Sequence, residues 1–597
     1  MAKKSGVTPS EIIKRLAKIK NAEKIRKEAD DKYGYSRAIK EYAGDFVSSM
    51  PSWLQGIDLI PINEVYAFAK TFVPSIYSRD PYIAVNPKGS KFIIGAKMLE
   101  MGVNAYWRAL DLKHQIKRCL FDAMFAEGIL KLGYSASLGD SSKQEGEMSL
   151  DPSCYVKEKE IFAKRISWKN IIRDPNSTDG FHDCRFIAHE LILPIEAVRN
   201  SNLYENTENL QPNYTVEISG PSEGRRAPQY RTEEQFVVLY EEWNQDEEKV
   251  YTYAEGCSDY LMNKKWPYRF DGYPFELIRF NAPTDEPYAP NLIAPWEPQL
   301  WEKMKIRAME LDHLKRFGRQ YISEKGSFSR IEKDKLMKGI SGAVIEKEQG
   351  KPDPSILQYP AIQTDMYAVE NRIDMDKDNI SGQPNAVRSA PQKTQSRTLG
   401  EVDRLISSFQ SRQSDPQAEV EYFSEEISKK LIGLMQQYFD KAKYIRAAPV
   451  DKRWLERQMK DNPDSDKFEA GGFMLNRDDI KNIEFEVEVR AGSTLPMNRE
   501  NRMKSMISII ELGQRIGIME GDKLSRVIGK NLVAEFDMPE VDNAYEEVLR
   551  KIEAGEQVNK VRADAENMMS QNKIRQMKAQ MAGGGNGAGP MIPPGLV

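Results

Sequence analysis

The stretch from residue 294 to residue 363 constrains the fold most. A long segment without Gly or Pro, typical of a helix, is followed there by a segment in which Gly and Pro recur. After the run Ala294-Pro295-Trp296-Glu297-Pro298, residues 299–317 contain neither Gly nor Pro before Gly318. A helix tolerates proline only in its first turn, so the pattern predicts one helix about 30 Å long, at about 1.5 Å per residue. Gly and Pro then recur through 318–363, which predicts a small inserted module with short strands at 343–346 and 356–359.

A second helix and a polar loop follow this module. Thr364 and Asp365 are a helix-start signal, and the helix is expected to end near Gly382. Residues 383–396 are polar with few apolar anchors, which predicts a mobile loop before a helix over 398–412. Ser414-Asp415-Pro416 then predicts the start of a further helix to about Tyr444, since proline is favoured just inside a helix start.

The chain opens with a basic amphipathic segment. Apolar residues recur at helical intervals through 8–32, so one helix is predicted there. The first 40 residues hold 12 Lys or Arg against 5 Asp or Glu. A solvated helix face is the favoured interpretation of this excess, and contact with nucleic acid or with an acidic partner is the alternative.

The remaining pattern predicts an α+β fold. A helical region is predicted over 95–130, a long surface loop over 203–232, and an alternating strand over 483–490 with one buried face. Helices are predicted over 499–516, 521–528 and 542–581, before a Gly-rich tail. Strands are predicted over 129–134, 161–166, 185–191, 235–243, 249–253 and 275–280.

Composition argues against several classes of function. The net charge of −4, from 90 acidic and 86 basic residues, disfavours a protein that grips DNA tightly. The four cysteines form no C-x-x-C pair, and the apolar runs are far shorter than the roughly 20 residues of a membrane span. With no secretory leader at the N-terminus, the protein is expected to stay in the cytosol where it is made.

Motifs for catalysis or cofactor binding are also missing. The sequence contains no G-x-x-x-x-G-K-[ST] motif, and its one G-x-S-x-G string, at 220–224, lies in the polar loop. The acidic run Asp374-Met375-Asp376-Lys377-Asp378 is interpreted as a solvated or channel-facing helix surface rather than a metal site. We therefore expect no catalytic residue, no cofactor and no bound metal.

Several short stretches follow one another along the chain in a specific order, although each is weak alone. They are Val103-Asn104-Ala105-Tyr106-Trp107 leading to Asp122-Ala123, Gly128 and Lys131-Leu132-Gly133; Trp168-Lys169-Asn170-Ile171-Ile172-Arg173-Asp174-Pro175 with Asp183-Cys184-Arg185-Phe186-Ile187; Gly272-Tyr273-Pro274-Phe275; Arg397-Thr398-Leu399-Gly400-Glu401-Val402; and Arg490-Ala491-Gly492-Ser493-Thr494-Leu495-Pro496. In this order, they resemble the portal family of tailed bacteriophages.

This resemblance covers nearly the whole chain and implies a portal-like architecture. Two separate parts of the chain would form the α+β wing. Between them would lie a two-helix stem, a small α/β clip and a tunnel loop, and a helical crown would follow at the end. The implied ranges are 1–293 for the first wing part, 294–317 and 364–382 for the stem helices, 318–363 for the clip, 383–396 for the tunnel loop, 397–498 for the second wing part and 499–597 for the crown with its flexible tail.

The resemblance also implies sites. In the tunnel loop, Arg388, Gln392, Lys393 and Gln395 would face the DNA channel. Lys305, Glu310, Asp312, Lys315 and Arg316 of the first stem helix would line the channel or contact a neighbouring subunit. Clip residues Lys325, Arg330, Lys333, Lys335 and Lys338 would dock partners.

Portals similar to this chain are twelve-subunit rings at one capsid vertex and are not enzymes. Implied partners are other copies of the chain, the large subunit of the terminase motor, the head-to-tail adaptor, the major capsid and scaffolding proteins, and double-stranded DNA held non-specifically, with no membrane. The implied location is the virion, and the host cytoplasm during assembly. Two alternatives stay open: another phage structural protein, such as a minor capsid or adaptor protein, and a nucleic-acid enzyme using scattered carboxylates.

Overall fold

The computed structural model describes most of the chain between residues 9 and 489. Residues 1–8 and 490–597, with the predicted helices of 499–581, lie outside the described part. The internal stretches outside it are 52–59, 135–148, 152–153, 157–159, 202, 214–234, 284, 317–320, 339–343, 354, 357–364, 384–398, 440–442, 447–451, 462–467, 470 and 482.

Helices and strands alternate irregularly along the described residues. The α-helices are α1 (Pro9–Tyr33), α2 (Tyr35–Ala43), α3 (Phe46–Ser49), α4 (Glu64–Ile76), α5 (Ile93–Ala109), α6 (Leu112–Phe125), α7 (Ile195–Asn200), α8 (Glu297–Arg316), α9 (Arg330–Lys338), α10 (Asp365–Ser381), α11 (Leu399–Tyr438), α12 (Lys452–Asp461) and α13 (Arg477–Ile480). The strands are β1 (Ile83–Pro87), β2 (Gly128–Tyr134), β3 (Ser149–Asp151), β4 (Cys154–Val156), β5 (Ile161–Ile166), β6 (Ile171–Arg173), β7 (Phe186–Pro194), β8 (Phe236–Asn244), β9 (Lys249–Ala254), β10 (Met262–Lys265), β11 (Phe275–Ile278), β12 (Tyr321–Ile322), β13 (Ser355–Ile356), β14 (Lys443–Arg446), β15 (Phe468–Glu469), β16 (Gly472–Leu475) and β17 (Phe485–Val489).

Two antiparallel sheets lie within the described residues of 9–296 and 399–489, which we call the body. The larger has the strand order β10-β9-β8-β7-β6, and the smaller has the order β11-β2-β5. The longest pairing, between β7 and β8, runs from Phe186 opposite Asn244 to Pro194 opposite Phe236. With helices packed against these sheets, the predicted α+β class is confirmed.

The long helix α11 runs through the core of the body. Val420, Phe423, Ile427 and Leu431 recur at helical spacing and are all buried, so the predicted core stripe is confirmed. The helix reaches the smaller sheet through Lys430, whose Nζ donates to the carbonyl of Phe275, 2.8 Å away.

Helix α1 packs on the larger sheet. Its apolar face, which includes Ile12, Leu16 and Ile19, is buried against side chains of the β6–β9 strands. The polar side chains of this helix pair with acids elsewhere in the body: Arg15 lies 2.8 Å from Glu242 and 2.6 Å from Glu247, Lys20 lies 2.5 Å from Glu255, and Lys32 lies 2.8 Å from Glu286. Arg15, Lys20 and Lys32 are therefore matched by carboxylates of the same chain, while Lys14, Lys18, Lys24 and Lys27 are exposed, as a solvated helix face would be.

The region predicted as helical over 95–130 contains two helices and the start of a strand. Helix α5 ends at Ala109, and Asp111 adopts φ 49° before α6 begins. A left-handed backbone interrupts a right-handed helix, and no Gly or Pro marks the position. Gly128 already belongs to β2, where a Cβ would lie 2.1 Å from the carbonyl oxygen of Cys119.

The two helices predicted on either side of Ser414 form a single helix, α11, with Pro416 inside it. The prediction that a separate helix begins at Ser414-Asp415-Pro416 is therefore wrong. Gln413 and Gln417 flank the proline and both contact Ser75 of α4, at 3.2 Å and 3.5 Å. This packing holds the helix together although Pro416 has no N–H to donate. The predicted end at Tyr444 is also wrong, because that residue lies in β14.

Inside the 318–363 module, the predicted strand at 343–346 is absent from its described residues 344–346. Side chains of α9, a helix that was not predicted, form hydrogen bonds with the backbone of these residues instead. Lys335 Nζ donates to the Val344 carbonyl at 3.3 Å, and Glu332 accepts from the Glu346 N–H at 3.3 Å. Of the predicted strand 356–359, Ile356 lies in β13 and the remainder lies outside the described residues.

The other predicted elements agree with the structure at their centres. The helix predicted over 299–317 is α8, the helix starting at Asp365 is α10, and the alternating strand is β17, which pairs with β1 and buries Val487 and Val489. The six strands predicted between 129 and 280 correspond to β2, β5, β7, β8, β9 and β11. No helix among the described residues is long and apolar enough to cross a membrane.

Candidate functional site: a helix hairpin and the module between its helices

Helices α8 and α10 contact each other and carry the residues 321–356 between them, an arrangement we call the hairpin. We call the first turns of α8 the root of the hairpin. Leu300, Trp301 and Met304 are almost fully buried there, and the Trp301 ring meets Phe46 edge-on at 6.1 Å between centroids. At about 1.5 Å per residue, the 20 residues of α8 span roughly 30 Å, the root included.

Four charged side chains tie both hairpin helices to the body. Lys303 of α8 lies 3.0 Å from Glu64 of α4 and 2.6 Å from Asp374 of α10. Lys377 of α10 lies 2.9 Å from Asp374 and also contacts Glu64. We call these four residues the root cluster. Glu64 thus forms an ion pair with one lysine from each helix of the hairpin.

Burial and pairing act in opposite directions on the titration of the root cluster. Burial alone would raise the pKa of Glu64, but Lys377 and Lys303 outweigh it, and the pKa lies below its usual value. The same opposition lowers the pKa of Asp374. Burial would lower the pKa of Lys303, and its two carboxylate partners raise it instead. All three groups are therefore charged at neutral pH.

The acidic run 374–378 takes part in this cluster, so its interpretation as a solvated or channel-facing helix surface is wrong for Lys377, which is buried. Lys377 is only 2% exposed, and Asp374 is paired with two cations. The neighbouring Met375, by contrast, is 66% exposed. The helix therefore presents charge to the body and an apolar side chain to solvent.

Apolar side chains lie exposed along both helices of the hairpin. Isolated exposed apolar residues are ordinary, and six of them occur on these two helices. We call this set the hairpin surface. Its members are Met309, Leu311, Tyr367, Val369, Met375 and Ile380.

The module between the helices has a small interior. Strands β12 and β13 pair antiparallel, and among its described residues only Ser327 and Phe328 are buried. Hydrogen bonds join parts of the module to one another, such as the Glu348 N–H to the Ser327 carbonyl at 3.1 Å. Further apolar side chains are exposed here, namely Ile322, Ile331, Val344 and Ile345.

The predicted docking cations divide into two groups within this module. Lys325, Arg330 and Lys333 are exposed. Lys335 is half-buried and pairs with Glu332 at 2.9 Å, while exposed Lys338 pairs with Asp334 at 2.6 Å. The first three are therefore better placed to meet a partner than the last two.

Of the predicted channel residues of α8, Lys305 lies in its first half, and Glu310, Asp312, Lys315 and Arg316 lie in its second half. Lys305 and Glu310 are half-buried and Asp312 is exposed. The side chains of Lys315 and Arg316 lie outside the described residues, although their backbone belongs to α8.

The predicted loop residues Arg388, Gln392, Lys393 and Gln395 lie outside the described residues. The residues that lead into the loop are described. Gly382 ends α10 with φ 69° and donates its N–H to the Asp378 carbonyl at 3.0 Å. A Cβ at Gly382 would meet Arg412 at 2.9 Å, and Arg412 Nη1 donates to the Asn379 carbonyl at 2.6 Å.

Sequence reasoning missed Glu64 and Arg412 as contacts of the hairpin. Asn63 caps α4 by accepting from the Tyr66 N–H at 2.8 Å, so an Asn-Glu helix start was available as a signal for the helix. It carried no information on which distant lysines Glu64 would bind. Among the described residues, no group of His, Cys, Asp or Glu is arranged to hold a metal ion.

Comparison of the whole chain with protein-family models gives no match. Comparison with curated proteins gives none either.

Proposed function

We propose that this chain is the portal protein of a tailed bacteriophage, which forms a ring at one capsid vertex through which DNA is packaged and ejected. The observation that carries the proposal is the hairpin. It is tied to the body by the buried root cluster, and it exposes apolar side chains along both helices. An arm held in this way suits side-by-side packing with identical arms, in which each hairpin surface is covered by a neighbour.

Under this proposal the segments keep the roles implied by the resemblance. The body supplies the wing from 1–293 and 397–498, α8 and α10 are the stem within 294–317 and 364–382, residues 318–363 are the clip, 383–396 are the tunnel loop and 499–597 are the crown. The order of a long helix, a small module, a second helix and the 40-residue helix α11 supports this assignment.

The charge of the chain suits a channel through which DNA slides. A ring with a continuous basic lining would hold phosphates strongly and in a salt-dependent way, whereas this chain has a net charge of only −4. We propose that Arg388 and Lys393, with Gln392 and Gln395, form a sparse girdle that touches phosphates without reading bases.

The exposed side chains of the module suit a docking surface. Lys325, Arg330 and Lys333 are exposed in the same module as the exposed apolar residues. We propose that this surface meets the terminase large subunit during packaging and the head-to-tail adaptor afterwards. The capsid and scaffolding proteins would contact other parts of the ring, in the host cytoplasm during assembly and in the virion later.

Ring formation is the direct test. Mass photometry of the purified full chain, with negative-stain images viewed end-on, should give closed assemblies of about twelve copies with a central hole, as cyclic symmetry requires. Monomers under every ionic condition tried would contradict the proposal, and so would an open filament.

A second test addresses the loop. The double substitution Arg388→Glu and Lys393→Glu should leave rings intact but change DNA packaging or retention, because repulsion would act at every copy around the channel. The matched control is Arg388→Lys, which keeps the charge. Wild-type packaging and retention by confirmed rings of the double variant would contradict the role of the loop.

A further inference from the structure

Strands β1 and β17 form a two-stranded antiparallel sheet, and helix α5 closes one of its two outer edges. Asn104 of α5 accepts from the Ile83 N–H at 3.2 Å and donates to the Ile83 carbonyl at 2.8 Å. Glu100, also of α5, accepts from the Val85 N–H at 3.2 Å. The backbone groups of Ile83 and Val85 therefore point away from β17.

The register of the two strands determines which backbone groups of β17 face outward. In an antiparallel pair, residues that exchange hydrogen bonds alternate with residues whose N–H and C=O groups point to the other side. Val85 lies opposite Val487, and Ile83 lies opposite Val489. Val487 and Val489 therefore also point away from their partner strand, and Phe485 does so by the same alternation. The described part of the chain holds no hydrogen-bond partner for the backbone of these three residues.

A trough of about 800 Å³ borders this open edge. Strand β17 lines it through Phe485, Glu486 and Val487, and helix α11 lines it through residues that include Gly433. Ligand pockets in proteins measure roughly 300–1,000 Å³, and a further strand would lie about 4.8 Å from β17. The trough therefore has room for a short extended chain beside β17.

Other sheet edges of the body are closed by side chains. Gln115 of α6 accepts from the Arg165 N–H of β5 at 3.1 Å, and Arg26 of α1 donates to the Ile171 carbonyl of β6 at 3.3 Å. Such caps keep an edge strand from pairing with a further strand. The outer edge of β17 differs from these edges, since its backbone groups face the trough.

Two carboxylates stand on the solvent side of β17, beside this edge. Glu486 and Glu488 are exposed and alternate with the buried Val487 and Val489. Lys88 lies 3.6 Å from Glu486, but both side chains are mostly exposed, so this pair is weak. Charged side chains keep an edge strand from pairing with a strand of the same charge, whereas opposite charges directly across from each other favour pairing.

We propose that the outer edge of β17 binds an extended segment of a partner protein in which basic and apolar residues alternate. The basic residues lie across from Glu486 and Glu488, and the apolar residues lie beside Val487. Main-chain hydrogen bonds to the edge supply the affinity, and the alternating side chains supply the specificity. The proposal rests on the geometry of this edge and does not depend on the portal function.

The test measures the binding of short peptides to the purified full chain by fluorescence anisotropy. The probe is fluorescein-labelled Thr-Lys-Val-Lys-Val-Lys-Thr, and the matched acidic peptide carries Glu in place of each Lys. Lys88, Arg269 and Lys481 also line the trough, so the acidic peptide tests the opposite charge preference. The basic peptide should bind saturably and about tenfold more tightly than the acidic one. No saturable binding of the basic peptide, or tighter binding of the acidic one, would overturn the proposal.

Backbone methylation separates a paired strand from a peptide that is held by charge alone. Every second N–H of a paired strand faces the edge, and the others face away. Methyl groups on the backbone nitrogens of either the valines or the lysines should therefore abolish binding, and methyl groups on the other set should leave it unchanged. Equal affinities of the two methylated peptides would show that no paired strand forms, and the proposal would be wrong.

Charge reversal in the protein assigns the site to β17. The double substitution Glu486→Lys and Glu488→Lys should reverse the preference, so that the acidic peptide binds more tightly than the basic one. The matched control is Glu196→Lys with Glu208→Lys, which changes the net charge equally at two exposed positions outside the trough and should bind as wild type does. Circular dichroism checks that both variants are folded. An unchanged preference in the β17 double variant would place the site elsewhere and contradict the proposal.

Discussion

Lys303 and Glu64 form an ion pair of 3.0 Å although 239 positions of sequence separate them. The pair joins the first helix of the hairpin to helix α4 of the body, and Lys377 of the second helix reaches the same carboxylate. Because both side chains of the pair are only 12% exposed, solvent screens the interaction weakly. One carboxylate thus fixes both helices at the same point.

Replacing Glu64 by Gln should destabilise the protein by about 3 kcal/mol, because it removes one of the two carboxylates that the buried Lys377 contacts within the described part of the chain. Urea denaturation of the full chain gives the change. The matched control is Glu486→Gln, since Glu486 is 72% exposed and 3.6 Å from Lys88, and should cost no more than about 0.5 kcal/mol. Equal effects of the two substitutions would mean that the root cluster stabilises the protein no more than an exposed ion pair does.

Replacing Met375 by Asp should prevent ring assembly while the single chain stays folded. The side chain is 66% exposed in the chain, so a carboxylate there is solvated until a neighbour covers it, and burial without a partner is then unfavourable. Mass photometry and circular dichroism measure the two properties. Met375→Leu keeps the apolar character and should assemble normally. Rings of Met375→Asp at wild-type concentrations would remove this residue from the interface.

Replacing Pro416 by Ala should stabilise the protein by about 1 kcal/mol, because the new N–H restores a helical hydrogen bond in α11. The gain stays below the full cost of an interior proline, since the contacts of Gln413 and Gln417 with Ser75 already hold the helix. Thermal unfolding gives the sign. A loss of stability would mean that the proline sets a bend which the packing of α11 requires.

The sequence correctly predicted those helices and strands in which apolar residues recur at a regular interval within one segment. The stripe of α11 and the alternation of Val487 and Val489 in β17 are of this kind, because burial repeats with the period of the element. The break at Asp111 and the continuity across Pro416 were missed, since packing decided both against the local preference. The strand expected around Val344 failed for a related reason, because side chains of α9 satisfy that backbone.

The candidate site was predictable in outline only. The two helices and the module between them follow from where Gly and Pro occur. The contacts of Glu64 with Lys303 and of Arg37 with Glu297 join positions far apart in the chain, and a single sequence does not specify such pairs. The resemblance named exposed cations of the module, but burial was needed to separate Lys333 from Lys335.

The last prediction concerns the buried pair of Lys131 and Glu241, whose Nζ and Oε2 atoms lie 3.0 Å apart between β2 and β8. Burial alone would raise the pKa of Glu241, but Lys131 and the neighbouring His189 outweigh it, and the pKa falls to about 2. The folded chain therefore binds this proton less readily than the unfolded chain does. The stability that the pair contributes is present above the ordinary carboxyl pKa, about 4.5, and is lost as the pH falls toward about 2.

Lys131→Met should cost about 3–5 kcal/mol at neutral pH, because it leaves the Glu241 carboxylate buried without its ammonium partner. The same variant should lose less stability than wild type between about pH 4.5 and about pH 2, since its Glu241 has little pKa depression left to lose. Adding Glu241→Gln should recover most of the loss, because the amide oxygen still accepts from Trp243 Nε1, which lies 2.7 Å from Glu241 Oε1. Urea denaturation across this pH range measures all three chains, and a double variant as unstable as Lys131→Met would show that the lysine acts through packing and not through charge.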